Sequence, residues 1–487
     1  MIVSARLRWH KRHQKRQVLP QGFLHLRVRF LFLCLAFLLA GCAPDIGNEA
    51  LRLDVPAHYL GSAVGASPML DWWKEFHLPE LTKLSERALA ANLDITAAVA
   101  RIEQADAQAR LAGVALLPVL NVSASAANAQ SSAFDAARKP PARTTHDIGL
   151  NASFEVDFWG KNRALRDASE NSALASRYDA ETVRLAALTA TANSYFQILA
   201  ARERLRLANE NLLLANRVLT LIKLRLAVGT ATALDSAQQE SIVNNLRANV
   251  PPFQQSIAQN TAVLGVLVGQ APERLKTPGG SLRGAAIPAV RPGLPSDLLE
   301  RRPDIAFAQA QLEASKANLV AARAAFFPTI QLTAQGGFQS LALNTLLDPK
   351  NTFYSLAAGL TQPIFDGGRL QGNFEQVKGR QDELIADYKK AVISGFSDVE
   401  KALAAIRYLA QQEALQRLSL ASSQKAYELS EQRLKEGTVD LVTVLNTQQS
   451  LFSVQDALVQ TRLARLLAAV SLYQALGGGW PKAPITR

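Results

Sequence analysis

The chain has 487 residues, of which 48% are hydrophobic and 19% are charged, and its formal net charge is +12. This length and composition exclude a disordered chain and leave room for two or three ordinary domains. The positive charge is concentrated at the start, where residues 1–41 contain eight basic side chains and no acidic one. Because the rest of the chain is close to neutral and has no basic run interleaved with aromatic residues, the composition argues against a nucleic-acid-binding function.

Residues 1–41 have the pattern of a bacterial signal peptide. Their basic stretch is followed by an apolar run at residues 30–40, which is too short to cross a membrane comfortably. The run leads into Leu39-Ala-Gly-Cys42, which resembles the lipobox of bacterial lipoproteins. This resemblance implies that residues 1–41 are removed, that Cys42 receives a diacylglycerol and an N-acyl chain, and that Ala43 directs the protein to the outer membrane. The alternative is a cysteine that happens to end an ordinary signal sequence.

Beyond a lipidated N-terminal segment at residues 42–70, the chain contains the same pattern twice. Residues 100–118 match residues 310–328 at an offset of 210, and the Arg-Leu-x-x-Gly-Thr motif ending at Thr230 recurs at Thr438, an offset of 208. Phe158-x-Gly160 matches Phe365-x-Gly367 at an offset of 207. Such self-similarity indicates a tandem duplication.

Each repeat is predicted to run helix, strand, loop, strand, very long helix, tip turn and returning helix. The first repeat is predicted over residues 71–270 and the second over residues 296–476. An equatorial connector at 271–295 joins them, and a C-terminal tail follows at 477–487.

Apolar and polar residues alternate in two segments of each repeat, near residues 118–128, 147–158, 329–340 and 352–365. Segments of about ten residues with this pattern have the length and polarity of membrane-spanning β-strands. A sandwich strand with one hydrated face alternates equally well. Aromatic residues clustered at the strand ends favour the membrane, namely Phe158, Trp159, Phe326, Phe327, Phe353 and Phe365.

Four strands are too few to form a membrane barrel. A bilayer accepts strands only in a closed barrel, and bacterial barrels begin at about eight strands. If the four strands cross the membrane, several chains must therefore pool them. The strand number alone predicts an oligomer.

The predicted long helices span residues 162–228 and 369–436, and the returning helices span 233–270 and 441–476. The first long helix contains no Pro or Gly, and a helix of this length measures about 100 Å. Spacings that alternate between three and four residues predict a coiled-coil seam on it. The seam residues are Leu205, Ala208, Leu212, Ala215, Leu219, Ile222 and Leu226.

Each long helix is predicted to end at a glycine and turn back. Gly229 and Gly437 fit the position after a C-cap, where a positive φ is common. Thr232 and Asp235 then fit the N-cap and the third position of the first returning helix.

Asp440 and Thr443 occupy the same two positions at the second tip. The first interpretation of Asp440 is therefore an N-cap. A second role is compatible with capping, because in a symmetric oligomer one carboxylate per chain forms a ring of negative charge that narrows a pore or selects cations.

These features together resemble the outer-membrane factor family of TolC-like efflux channels, and specifically its NodT-type lipoprotein branch. The segment from Leu294 to Asp304 is close to that branch's signature, and Asp71-Trp-Trp73, residues 363–369 and the two Arg-Leu-x-x-Gly-Thr tips also match. The resemblance covers residues 45 to 476, nearly the whole mature chain.

The resemblance implies a mainly α fold with a membrane β-barrel. In it, a homotrimer forms a 12-stranded outer-membrane barrel above a long periplasmic α-helical barrel with an equatorial domain. Family members conduct small molecules passively, and they join a periplasmic adaptor and an inner-membrane pump. By this resemblance Asp440 lies near the periplasmic aperture, and the adaptor contacts are Gly229, Thr230, Gly437 and Thr438.

No catalytic or metal-binding motif is found in the sequence, so we expect neither enzyme activity nor a cofactor other than the lipid on Cys42. After cleavage only His58, His77 and His146 remain as histidines, and Cys42 as the only cysteine, so no disulfide is possible. The alternative function is a lipid-anchored envelope coiled-coil scaffold without a pore.

The charges of the signature segment are expected to form ion pairs. The residues of the signature segment for which we expect ion pairs are Arg301, Arg302 and Asp304.

Overall fold

The computed structural model describes residues 55–60, 71–130, 141–290 and 292–478. The predicted signal peptide, the lipid attachment site Cys42 and most of the predicted C-terminal tail lie outside these residues. Within them the chain forms nine α-helices and a single four-stranded sheet, so it is mainly α-helical, as the sequence predicts.

The first repeat begins with a 3-10 turn at Trp72–Phe76. Asn92 separates the first two α-helices, and its side chain accepts hydrogen bonds from the backbone N–H groups of Asp94 and Ile95, which is the usual function of an N-cap. The elements that follow the turn are α1 (Pro79–Ala91), α2 (Leu93–Val114), β1 (Val119–Ala129), β2 (Arg143–Val156), α3 (Lys161–Ala227), α4 (Ala233–Ala248) and α5 (Val250–Leu267).

The second repeat follows the connector and has the same order. Pro303 lies in the first turn of its second helix, where a missing N–H costs nothing. Its elements are α6 (Pro295–Arg301), α7 (Pro303–Ala324), β3 (Thr329–Ser340), β4 (Thr352–Thr361), α8 (Arg369–Lys435) and α9 (Leu441–Ala475).

The structure corrects one match between the repeats. The long helices α3 and α8 both contain 67 residues, and each begins after a glycine with positive φ, 78° at Gly160 and 86° at Gly368. Gly160 therefore corresponds to Gly368 at an offset of 208, and the predicted match to Gly367 is wrong by one residue. The glycine is the better marker, because the backbone geometry at the start of the helix requires it. The residues next to the phenylalanine differ between the repeats.

The first returning helix, predicted over 233–270 without interruption, is divided at Asn249 into α4 and α5. Pro251 and Pro252 have no N–H to donate to the preceding turn, so the helix has to restart. The corresponding helix α9 contains no proline and runs without a break for 35 residues.

Two strand boundaries also differ from the prediction. β2 begins at Arg143 because its first four residues continue the ladder with the end of β1, although their polarity does not alternate. β4 ends at Thr361 because Pro363 cannot donate a ladder hydrogen bond.

The four strands form one antiparallel sheet in the order β1-β2-β3-β4. The central pair joins the two repeats, with Leu150 of β2 opposite Gly336 of β3. The two outer strands, β1 and β4, each have one edge without a partner strand in the described chain.

The seam on α3 is shifted from the predicted one. Ala208, Ala215 and Ile222 are buried as predicted, but the residues buried between them are Asn211 and Val218. Of the leucines predicted at the alternate positions, Leu205, Leu212 and Leu219 are only partly covered and Leu226 is exposed. The predicted spacing of three and four is present, and its phase is displaced because α3 packs against several helices instead of one.

An aromatic cluster fixes the start of the first repeat against the end of the second. Trp72 stacks on Tyr473 at a centroid distance of 5.1 Å, and the Tyr473 hydroxyl donates to Glu75 at 2.7 Å. Phe76 and Phe196 pack beside this pair at 5.1 Å from each other. The chain therefore closes on itself near the connector, away from the sheet.

Candidate functional site

The connector is attached to α8 and α9 through a buried carboxylate. Glu413 on α8 is 1% exposed and forms ion pairs with Arg417, Arg462 and Arg465. Burial alone raises the pKa of Glu413, but the hydrogen bonds and charges of Arg465 and Arg417 outweigh it, so the net pKa is lowered. Arg462 also donates to three carbonyl oxygens of the connector. The carboxylate thus stays charged and holds an arginine that binds the connector backbone.

Arg302 of the signature segment has a similar role. Its guanidinium pairs with Asp304 at 2.6 Å and with Asp398 of α8 at 3.2 Å, and it donates to the Ala475 carbonyl at 3.3 Å. Arg301 pairs with Asp297 at 3.0 Å. The signature charges therefore form ion pairs, as expected, and they join the start of the second repeat to its last two helices.

One face of the sheet is apolar and exposed to solvent in the single chain. It includes Leu120, Val122, Leu356 and Leu360, all exposed and all at even-numbered positions. The registers pair even positions with even positions across all three ladders, so these side chains share one face. A soluble single chain rarely exposes an apolar patch of this kind.

The opposite face of the sheet is polar and carries cross-strand hydrogen bonds. The Asn151 amide donates to the Ser123 hydroxyl at 2.7 Å, and the Ser125 hydroxyl donates to the Asp147 carboxylate. This division into an apolar and a polar face is the one that separates lipid from a water-filled lumen.

The two tips have the same backbone geometry. Gly229 has a φ of 80° and Gly437 a φ of 74°, and each follows the end of a long helix. The backbone N–H of Thr230 donates to the Arg225 carbonyl at 2.8 Å. At the second tip, the backbone N–H of Thr438 donates to the Arg433 carbonyl at 2.9 Å. The four residues predicted to contact an adaptor therefore lie at two equivalent, exposed turns.

The helix caps at the two tips use the same residue types in reversed positions. At the first tip Thr232 is the N-cap, and its N–H donates to the Asp235 carboxylate at 2.8 Å. At the second tip Asp440 is the N-cap and accepts from the Thr443 N–H at 3.0 Å. The capping carboxylate thus lies at the third helical position at the first tip and at the N-cap at the second.

Both carboxylates are held in the charged form. The Thr443 hydroxyl, and then its backbone N–H, donate to Asp440 and lower the pKa of this carboxyl group. The backbone N–H of Thr232, followed by its hydroxyl, lowers the pKa of Asp235 in the same way. Asp440 is exposed, so its charge is available to ions and to other chains.

A contact that the sequence did not predict joins the two tips of one chain. The Arg225 guanidinium donates to the Leu434 carbonyl at 2.8 Å, close to the C-terminal end of α8, where helix carbonyls lack partners within the helix. Val218 and Ile222 of α3 pack with Tyr427 and Leu434 of α8 just behind it. Such a contact between residues far apart in the sequence leaves no local signal.

The tips also expose apolar side chains that the sequence did not single out. Val228 and Leu234 flank the first turn, and Val442 follows the second, and all three are exposed. They surround the glycine and threonine positions predicted to contact an adaptor.

Among residues 55–60, 71–130, 141–290 and 292–478, no group of three or more histidine, cysteine or acidic side chains could hold a metal ion. In the same part of the chain, no helix is both long enough and apolar enough to cross a membrane.

We predict that Arg225→Ala loosens the junction between the tips. A hydrogen bond from a charged donor contributes about 1.5 kcal/mol, so the amides of residues 434–438 should exchange with deuterium roughly tenfold faster. Arg217→Ala is the matched control, because this exposed arginine lies on the same helix eight residues earlier. Equal exchange rates in the Arg225 variant and the parent would contradict a structural role for this contact.

Known proteins share this architecture. The model of the family described as outer membrane efflux protein matches residues 84–270 and 294–478, which are the two repeats. The pyoverdine export outer membrane protein OpmQ of Pseudomonas aeruginosa is 41% identical over 455 residues, which cover 92% of this chain and 95% of that protein. The cation efflux system protein CusC of Escherichia coli is 31% identical over 465 residues, covering 93% and 99%.

A solved structure gives the same result at the level of the fold. The open state of the MtrE outer membrane channel of Neisseria gonorrhoeae superposes with a TM-score of 0.80 at 28% identity, covering 89% of this chain and 98% of that one. The chain therefore belongs to the outer membrane efflux protein family.

Proposed function

We propose that three copies of the chain pool their strands into one 12-stranded barrel in the outer membrane, and that the long helices form a duct below it. Membership of the family makes the chain an outer-membrane channel component of a tripartite efflux system. This is a family of channels and not of enzymes. The number of copies and the paths of the strands through the membrane are the parts that we propose.

The observation that carries the proposal is the four-stranded sheet with one exposed apolar face and two unpaired edges. In a bilayer each unpaired backbone group costs several kcal/mol, so the edges must be paired by other strands. Three copies of four strands exceed the minimum of about eight that a bacterial barrel requires. The resemblance to trimeric family members selects three copies.

The duct below the barrel consists of α3 and α8 with their neighbours. Each of these helices has 67 residues and so extends about 100 Å, which suits a passage across the periplasm. In this arrangement the tips point away from the membrane. They would meet a periplasmic adaptor through Gly229, Thr230, Gly437 and Thr438, with the exposed Val228 supplying apolar contact area.

In the proposed system the inner-membrane pump supplies the energy for transport. The duct itself is passive and therefore needs no catalytic group. The relatives have names that refer to pyoverdine, toluene, antibiotics and cations, although they share this fold. One architecture therefore serves chemically different cargoes. We infer that the cargo of this chain is selected mainly by its pump.

In the proposed trimer Asp440 has two functions. It caps α9, and three copies of its carboxylate form a ring of negative charge near the periplasmic aperture. In each chain the hydrogen bonds from Thr443 lower the pKa of this carboxyl group and so favour its charged form.

We propose in addition that Cys42 carries a diacylglycerol and an N-acyl chain, on the strength of the lipobox resemblance. The lipid would be a supplementary anchor, since the barrel itself holds the protein in the membrane.

We predict that the purified protein conducts ions in planar bilayers, and that Asp440→Ala raises basal conductance or weakens cation preference. Asp440→Asn is the matched variant, because asparagine still caps a helix but carries no charge. Both variants should change selectivity if the ring acts through charge. A change in the alanine variant alone would mean that Asp440 acts only as a helix cap. If neither the parent protein nor variants with mutated tips conduct ions, the lipid-anchored scaffold is favoured instead.

We predict that Cys42→Ser abolishes labelling by radioactive palmitate but leaves part of the protein in the outer membrane. Cys34→Ser is the control, since this residue lies in the segment predicted to be removed, and labelling should persist. Complete release of the Cys42 variant from the membrane would contradict anchoring by the strands.

A further inference from the structure

A groove between three helices lies directly below the sheet. The first turns of α3 and α8 form its walls and α7 forms its floor, and it has a volume of about 490 Å³. The floor extends from Ser315 to the C-cap of α7 at Ala325, so the groove is about 15 Å long. Its volume and length suit a ligand of the size of a drug molecule.

The groove is on the side of the polar face of the sheet. Lys161, the first residue of α3, lines the groove and forms an ion pair with Glu155 of β2 at 2.6 Å. Glu155 occupies an odd-numbered position, as do Asn151 and Ser123 of the polar face. The inference that follows rests on the proposed function, in which this face lines the lumen. The groove is then part of the lumen wall.

The middle of the groove is apolar. Leu165 of α3 and Val377 of α8 lie on opposite walls, and alanines of α7, among them Ala321, form the floor between them. The corresponding helix of the first repeat has Leu111 in place of Ala321, at the offset of 210. The small floor residues of the second repeat therefore leave space that a larger side chain would occupy.

Positive charge lies at both ends of the groove. Lys161 is next to the sheet, and Arg380, three turns into α8, is at the far end. Arg380 pairs with Glu383 at 2.6 Å, as Lys161 does with its glutamate. Neither glutamate lines the groove, and among the residues that the structure describes its lining contains no acidic side chain. Because lysine has three N–H donors and arginine five, both cations can still donate to a ligand.

Three side-chain amides line the groove between the two charges. Asn318 lies on α7, and Asn373 and Gln376 lie on α8. Within the part of the chain that the structure describes, none of these three side chains has a hydrogen-bond partner. Their N–H donors are therefore available to the oxygen atoms of a ligand.

We propose that this groove binds an elongated organic anion on its way through the duct. The apolar body of the anion lies on the alanine floor, and Lys161 and Arg380 donate to carboxylates or similar groups at its ends. A neutral solute of the same shape lacks these charge-assisted hydrogen bonds, and a cation is repelled at both ends. In the proposed trimer three such grooves surround the lumen below the barrel, at the opposite end of the duct from the ring of Asp440 carboxylates.

Calorimetric titration of the purified full-length protein in detergent tests the groove. The probe is a biphenyl dicarboxylate with its carboxylates at opposite ends, and the corresponding biphenyl dimethanol is the matched neutral probe. Arg380→Gln should weaken binding of the dicarboxylate about tenfold, the effect of losing one hydrogen bond from a charged donor. Lys378→Gln is the matched control and should leave the affinity unchanged, because this exposed lysine is on the same helix but does not line the groove.

A second measurement tests whether the groove faces the lumen. In planar bilayers the dicarboxylate should reduce the ion current through the parent protein and the Lys378 variant, and should reduce it less in the Arg380 variant. Binding without any effect on the current would contradict the position on the lumen wall.

The two measurements separate the groove from the proposed channel. If the protein conducts ions but the Arg380 and Lys378 variants bind the dicarboxylate equally well, the anion site is refuted and the channel stands. Equal binding of the dicarboxylate and the dimethanol would refute the anion site as well. If binding depends on Arg380 in a protein that conducts no ions, the anion site stands and the proposed channel is refuted.

Discussion

The backbone groups at the edges of the sheet impose the constraint on which the rest of the account depends. A four-stranded antiparallel sheet satisfies its inner hydrogen bonds but leaves the outer edges of β1 and β4 open. Water could satisfy these groups, but the apolar face that the same strands present belongs next to lipid. The two facts are compatible only if other strands close the sheet. In the proposed trimer the single chain is one third of the barrel, and its long helices and tips are parts of a ring.

The tandem duplication explains how one chain supplies this unit. Both repeats provide a hairpin, a helix of 67 residues and a glycine turn with equivalent hydrogen bonds. The differences between the repeats are small and local. Two prolines divide the first returning helix, and the caps at Thr232 and Asp440 exchange the positions of hydroxyl and carboxylate. Such differences leave the repeated framework intact while making the two tips chemically distinct.

The equatorial ion pairs hold the framework at its middle. Glu413 and Arg302 are both largely buried, and each gathers partners from separate helices of the second repeat. Arg462, a partner of Glu413, also donates to the connector backbone. Removing one member of such a group leaves the other charges without partners, which is costlier than losing an exposed pair. The position of the connector thus depends on Arg462 and Glu413, which lie outside the signature segment and which no local sequence pattern singled out.

Much of the fold could be predicted because its signals are local. The glycines at 229 and 437 mark the ends of the long helices, and the alternation in the strands marks one apolar face. The predictions failed where the outcome depends on several elements at once. The buried seam of α3 includes Asn211 because α3 packs against several helices, and β2 begins at Arg143 because β1 offers partners there.

The contact between Arg225 and Leu434 could not be predicted from the sequence, because it joins residues more than 200 positions apart through the packing of two helices. The site residues at the tips could be placed at exposed turns, since the turn chemistry is local. Their role toward an adaptor rests on the family resemblance. Cys42 lies outside the described residues, so its lipid rests on the lipobox pattern alone.

The mass of the intact assembly, measured by native mass spectrometry after extraction into detergent, tests the central claim most directly. Three chains of four strands each should give a single species with three times the mass of the mature lipidated chain. A stable species of one chain would contradict the account, because a lone four-stranded sheet would then survive in the membrane with both edges unpaired.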